Sequence, residues 1–207
     1  MRNNNRAVRP LITFFLVLPL LLFISLAQAA QIEKLLEQAE KGSAKSQTEL
    51  GFVYELGKGV TKDPQKAATW YRRAAEQGYA QAQTNLGSFY ESGVGVALDY
   101  AEAMNWYQKA AEQEYARAQT NLGRLYEFGR GVPKDMQKAA LWYGKAAEQG
   151  YARAQTNLGS LYKIGAGVEL DYGEAIKWYQ QAAAQNYARA QTYLGQMYEQ
   201  GMGVEKN

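Results

Sequence analysis

The sequence predicts an all-α fold, a solenoid built from pairs of helices that repeat every 36 residues. Three observations support this prediction. The segment ARAQTNLG occurs at residues 116–123 and 152–159, and the near copy AQAQTNLG occurs at 80–87. No linker separates the copies, and a fixed period of roughly 20–50 residues is typical of stacked repeat units. A Trp-Tyr pair recurs with the same period, its tryptophans being Trp70, Trp106, Trp142 and Trp178.

The repeat divides most of the chain into four full units and one half unit. Aligned on the alanine three residues before each Gln-Thr step, the full units are 44–79, 80–115, 116–151 and 152–187, and the half unit is 188–207. A catalytic signature normally needs one copy in one pocket, whereas a scaffold needs the same residues in every unit. The repeated segment is therefore interpreted as scaffold.

Each unit carries two amphipathic patterns. In the third unit, Ala118, Leu122 and Leu125 fall at i, i+4 and i+7, which is one stripe of a first helix. Later in the same unit, Trp142 and Ala146 fall at i and i+4 on a second helix. The two stripes are predicted to pack on each other, with Trp142 as a large core aromatic.

A glycine lies inside every first helix, where it costs about 1 kcal/mol relative to alanine. We expect that the missing side chain lets the partner helix approach closely. The five positions are Gly51, Gly87, Gly123, Gly159 and Gly195.

The loop between the two helices reads G-x-G-V-x-x-D, for example at 93–99. Its glycines do not indicate a nucleotide site, because no strand precedes them and no Gly-Lys-Ser/Thr follows. The aspartates instead begin helices: Asp63 precedes Pro64, and Asp99 has a glutamate three residues later, as in a capping box.

The two ends of the chain differ from the repeats. Residues 1–29 are predicted to be a signal peptide, with a basic start, an apolar run and an Ala-Gln-Ala cleavage site ending at Ala29. Residues 30–43 are predicted to form an N-terminal capping helix. The half unit 188–207 lacks a second helix, so its apolar stripe is expected to stay partly exposed and to favour self-association.

Composition restricts the chemistry of the protein. The chain contains no histidine and no cysteine, which removes the usual metal ligands, the commonest general base and any disulfide. Removal of residues 1–29 takes away three of 23 basic residues, leaving 20 basic and 20 acidic residues and no net charge. This balance does not favour nucleic acid as a partner. We expect no cofactor, no metal and no catalytic residue, and no stable membrane insertion after signal cleavage.

The repeat closely resembles the Sel-one-like repeat (SLR) family, relatives of the tetratricopeptide repeat. The matching pattern is AxAQTNLGxxYExGxGVxxDxxKAxxWYxKAAEQGY, and the resemblance covers residues 44–204. It implies a right-handed superhelix of antiparallel helix pairs that serves mostly as an adaptor surface for other proteins. Some cysteine-rich exported relatives are linked to β-lactam or cell-wall binding, and this chain departs from them by having no cysteine.

A partner-binding face is predicted opposite the apolar stripe of the first helices. In tetratricopeptide arrays this face lines the concave groove, and stacking of the units would align equivalent polar residues in ladders. Amide and guanidinium donors at regular spacing suit the carbonyl and carboxylate groups of a bound peptide. The predicted contact residues are Asn85, Arg117, Thr120, Asn121, Arg124, Phe128, Arg153, Thr156, Asn157 and Arg189.

The favoured function is an exported, non-catalytic scaffold that binds a partner protein or peptide on the concave face, in the periplasm or after secretion. Two alternatives remain open. One is a cell-envelope protein that binds or hydrolyses peptidoglycan or β-lactams, for which carboxylates such as Glu112 and Glu114 are available. The other is a secreted protein that binds host factors. The sequence does not identify the partner.

Overall fold

The computed structural model describes residues 27–203, and within that range the chain forms helices joined by turns, with no strand. The first described helix, α1, covers residues 27–40. Nine more follow: α2 (Ala44–Leu56), α3 (Pro64–Glu76), α4 (Ala80–Ser92), α5 (Tyr100–Ala111), α6 (Ala116–Phe128), α7 (Met136–Glu148), α8 (Ala152–Ile164), α9 (Tyr172–Ala184) and α10 (Ala188–Glu199).

The helices stack as a solenoid of pairs. Each even-numbered helix from α2 to α8 packs most extensively on the helix that follows it, and each pair then packs on the next pair. First helices of neighbouring units also contact each other, as α4 does α6 and α6 does α8. These contacts are more extensive than those between second helices of neighbouring units. In a curved stack the closer elements lie on the inside, so the first helices line the concave face. The predicted fold class is confirmed.

Four tyrosines form the centre of the core. Tyr143 is fully buried, as are its equivalents Tyr71, Tyr107 and Tyr179. The neighbouring Trp142 is only partly buried and carries the Lys145 ammonium 4.4 Å from its ring centroid. The prediction that Trp142 is a large core aromatic therefore needs correction, since Trp142 packs against the core but stays partly exposed. The helix turns the tyrosine, one residue later, toward the partner helix.

The glycines inside the first helices receive these tyrosine rings. A Cβ atom on Gly123 would lie 2.8 Å from Cδ1 of Tyr143 and 3.2 Å from the carbonyl oxygen of Ala139. The prediction that this glycine permits close helix packing is confirmed. Gly195 differs, because nothing lies within 4 Å of the position its Cβ would take. No second helix follows α10 within the described residues.

The repeated Gln-Thr step joins consecutive units. The side-chain amide of Gln119 donates to the carbonyl oxygen of Ala111, near the end of the preceding second helix, at 3.3 Å. Gln149, at the end of α7, donates in turn to the side-chain oxygen of Gln119 at 2.8 Å. Since a buried polar group must find a partner, these bonds fix one unit on the next. The glutamine of the motif ARAQTNLG is thus structural.

The loop aspartates begin the second helices. Asp63 and Asp135 have extended backbones and accept hydrogen bonds from the N–H groups of Lys66 and Lys138, both at 2.9 Å. These backbone N–H groups hold the pKa of each aspartate below its usual value. The G-x-G-V-x-x-D loop is therefore a turn followed by an N-cap, as predicted.

The helix α1 takes the place of a second helix in front of the first unit. The carbonyl oxygen of Ala39 accepts a hydrogen bond from the side chain of Gln47 at 2.9 Å, as that of Ala75 does from Gln83 one repeat later. The helix ends at residue 40 and a turn follows, so its bounds differ from the predicted 30–43. Most of the predicted signal peptide, residues 1–26, lies outside the described residues. No helix between residues 27 and 203 is both long and apolar enough to cross a membrane.

Candidate functional site

A cleft on the concave face brings together residues from three consecutive units. Its volume is about 380 Å³, and its walls come from α4, α6, the start of α8 and the loop after α6. We call it the arginine groove and define it by six residues. They are Glu91, Arg117, Asn121, Arg124, Arg130 and Arg153.

Helix geometry explains why these side chains meet. Arg117, Asn121 and Arg124 fall at i, i+4 and i+7 on one stripe of α6, and Asn121 is itself buried, with 4% of it exposed. Arg153 occupies the position of Arg117 one repeat later, at the start of α8. Arg130 follows Gly129, whose left-handed backbone ends α6 and turns the chain. Two successive units therefore contribute cations to one cleft, and the unit before them contributes Glu91.

Glu91 anchors two of the arginines. Its side chain is 8% exposed and pairs with Arg124 and with Arg130, the latter at 3.1 Å. The hydroxyl of Tyr107 donates to the other carboxylate oxygen of Glu91 at 2.9 Å. Burial raises the pKa of Tyr107, and the nearby carboxylate raises it further, so the phenol remains a donor. Such charge-assisted bonds hold the guanidinium groups in place.

The other two arginines have no acidic partner among residues 27–203 within 4.0 Å. Arg117 donates instead to the side-chain oxygen of Asn85 at 3.2 Å. Asn85 is 3% exposed, and its side-chain nitrogen has no hydrogen-bond partner in the described part of the chain. The four arginines and one glutamate give the groove a formal charge of +3.

Of the predicted contact residues, Arg117, Asn121, Arg124 and Arg153 line the groove. Asn85 lies behind it as the support of Arg117. Phe128 is 56% exposed at the rim, where Arg130 lies 5.4 Å from its ring centroid. Four of the ten predicted residues therefore line the groove, and Phe128 lies beside it.

The two predicted threonines must be corrected. Thr120 and Thr156 are buried, and each hydroxyl donates to the carbonyl oxygen four residues earlier at 2.8 Å. A neighbouring first helix covers them, so neither offers a surface to a partner. Asn157 is half-buried and lies outside the groove lining. Arg189 is on α10, where its Nε donates to the hydroxyl of Tyr193 at 3.0 Å.

Sequence reasoning missed Glu91 and Arg130. A signal for Glu91 was present, because the first three units have glutamate at this position whereas the fourth has Lys163. A change of charge at one repeated position indicates a surface that differs between units. Arg130 gave no such signal, since its position holds a different residue in every unit.

The carboxylates available to the hydrolase alternative, Glu112 and Glu114, line a cleft of about 410 Å³ together with Glu148 and Lys145. Glu112 and Glu114 are exposed at the end of α5, and Glu114 has a left-handed backbone with φ of 59°. Between residues 27 and 203, no group of three or more acidic side chains is placed to hold a metal ion.

The repeat pattern decides the family. The Sel1 repeat model matches residues 44–79, 80–115, 116–151, 152–187 and 188–207. The chain belongs to the Sel1 repeat family. The five matched segments coincide with the four units and the half unit seen in the sequence.

Solved Sel1 repeat structures have the same architecture. The chain is 46% identical to c5321, a protective antigen present in uropathogenic Escherichia coli strains and displaying an SLR fold, with a TM-score of 0.80. That match covers 85% of this chain and 38% of c5321. A Sel1 repeat protein from Oxalobacter formigenes is 39% identical with a TM-score of 0.76, and the match covers 80% of this chain and 68% of that one.

One curated Sel1 repeat relative has a named ligand. Over 43 residues the chain is 49% identical to the secretory immunoglobulin A-binding protein EsiB of Escherichia coli O6:H1. This segment is 21% of the chain and 9% of EsiB, so the chain spans only a small part of that relative.

Proposed function

We propose that this Sel1 repeat chain is an exported, non-catalytic scaffold that binds a partner protein along the arginine groove. Sel1 repeat proteins are generally protein-interaction scaffolds. The observation that carries the proposal is the surplus of positive charge in the groove, where Arg117 and Arg153 have no acidic partner among the described residues.

The shape of the groove supports a polypeptide as the ligand. The cleft is open and crosses three first helices, as an extended segment would. Phe128, beside Arg130, is 56% exposed, and Ile164, its equivalent one repeat later, is 64% exposed at the next cavity along the array. Concave surfaces of repeat arrays commonly bind extended partners, and charged donors beside apolar side chains suit a peptide.

Local charge distinguishes this proposal from nucleic-acid binding. After residue 29 the chain has as many acidic as basic residues, so it carries no net positive charge that would attract a nucleic acid. A nucleic-acid site would need a longer basic stripe to follow the phosphates. We therefore place the partner among proteins.

Export is the second part of the proposal and rests on the pattern of residues 1–29. The similarity to EsiB supports including secretory immunoglobulin A among the first proteins to test, alongside proteins of the bacterial envelope.

The double change Arg117→Ala with Arg153→Ala is expected to weaken partner binding more than about tenfold while leaving helicity and melting little changed. The reason is that it removes the two guanidinium groups free to pair with a ligand. Partners are first captured from envelope extract, and secretory immunoglobulin A is tested directly. Their affinity is then measured by surface plasmon resonance.

The matched control is Arg72→Ala with Arg73→Ala, which removes two exposed arginines from the outer helix α3. This variant is expected to bind as the unchanged protein does. An equal loss of affinity in both double variants would show that only net charge matters and would reject the groove as the binding site.

A further inference from the structure

We propose that the arginine groove selects an acidic segment in the polyproline II conformation, with two carboxylates three residues apart and an apolar residue beside each. This proposal rests on the proposed function, since it names the chemistry of the partner at the same groove. It follows from which cations are free and from the spacing of the repeats.

Arg117 and Arg153 set the spacing of the carboxylates. They occupy the same position in consecutive units, whose first helices α6 and α8 contact each other, and we take their separation as about 9 Å, the usual distance between the axes of contacting helices. A polyproline II segment rises about 3.1 Å per residue with three residues per turn. Side chains at i and i+3 therefore point the same way and lie about 9 Å apart. Each carboxylate can then accept two hydrogen bonds from one guanidinium.

Two exposed apolar side chains, one beside Arg130 and one in the cavity of Lys163, have the same spacing. Phe128 and Ile164 are both exposed and are also one repeat apart, at the ends of α6 and α8. In a polyproline II helix the residue next to each acid lies on an adjacent face, about a third of a turn away. One face of the segment meets the arginines and the next meets Phe128 and Ile164. The third face remains in solvent, where proline is tolerated.

Glu91 does not pair with Arg117 or Arg153, so both remain available to a ligand. Its carboxylate is already engaged by Arg124, Arg130 and the hydroxyl of Tyr107. It therefore fixes two cations of the groove without neutralising Arg117 and Arg153. One unit further on, Lys163 replaces the repeated glutamate and lines a second cavity of about 210 Å³. The positive surface thus continues toward the fourth unit, in the direction that a longer acidic segment would follow.

The test uses fluorescein-labelled peptides built on Glu-Leu-Pro-Glu-Leu-Pro and protein purified from cells that express the full chain. Binding is followed by fluorescence anisotropy at physiological salt. We expect the peptide to bind, and replacement of both glutamates by glutamine to weaken it more than about tenfold. Moving the glutamates next to each other should weaken binding as well, because only one can then reach an arginine.

Protein variants complete the test. Arg153→Gln is expected to remove the preference for the spaced glutamates, whereas the control Arg73→Gln on α3 should leave the affinity unchanged. Equal binding of the spaced, adjacent and neutral peptides would overturn the proposal. So would equally tight binding of an oligo-dT strand, because the groove would then respond to charge alone.

Failure of this proposal is distinguishable from failure of the proposed function. If the peptides do not bind but a captured protein still loses affinity in the Arg117 and Arg153 double variant, the acidic motif is wrong and the scaffold function stands. If the captured protein binds the double variant as tightly as it binds the unchanged protein, the groove is rejected as the binding site.

Discussion

Replacement of Tyr143 by alanine is expected to destabilise the protein by about 3–5 kcal/mol, the usual range for removing a large buried aromatic side chain. Tyr143 is fully buried between α6 and α7, and its hydroxyl donates to Glu127. The change would leave a cavity in the third unit and remove the partner of that carboxylate. Neighbouring units depend on one another in a repeat array, so the loss should reduce the stability of the whole solenoid.

The matched control is Trp142→Ala, one residue earlier on the same helix. Because Trp142 is only partly buried, its removal should cost clearly less free energy of unfolding than removal of Tyr143. Urea denaturation followed by circular dichroism gives both values. If Trp142→Ala proves as damaging as Tyr143→Ala, the orientation of α7 described above is incorrect.

The substitution of glycine by alanine is expected to have opposite effects at two equivalent positions. Gly123→Ala should destabilise the protein by about 1–3 kcal/mol, because the new methyl group overlaps the buried ring of Tyr143 and approaches the carbonyl of Ala139. Gly195→Ala should stabilise α10 by up to about 1 kcal/mol, because alanine favours the helix and nothing lies within 4 Å of it.

Urea melts of the two single variants, made in the same chain, test this contrast. The repeated sequence is nearly the same at both sites, so helix propensity alone predicts stabilisation in both. Destabilisation at Gly195 of the size expected at Gly123 would show that a packed neighbour covers α10.

The repeat itself allowed most of the fold to be predicted. A side chain that recurs every 36 residues must meet the same surroundings in each unit, so the glycines and the capping aspartates could be assigned from spacing. Which of Trp142 and Tyr143 is fully buried could not be predicted, because both adjacent residues fall within a broad apolar stripe. Which of them is buried depends on how the helix is rotated in its pair.

The groove was only partly predictable for a related reason. A helical wheel places Thr120 opposite the stripe of its own helix, but a neighbouring first helix buries it, and a wheel takes no account of neighbours. The pairing of Glu91 with Arg124 and Arg130 joins residues 33 and 39 positions apart. Such contacts between units depend on how the units stack.

The central claim, that a protein partner lies on the concave face, is tested most directly by photo-crosslinking in cells. A benzophenone amino acid is placed at Phe128, on the rim of the arginine groove, or at Leu141, on the outer helix α7; both side chains are 56% exposed. We predict a discrete protein adduct from position 128 that disappears when Arg117 and Arg153 are replaced by alanine, and no such adduct from position 141. An adduct formed only from position 141, or one from position 128 that persists without the two arginines, would contradict the account.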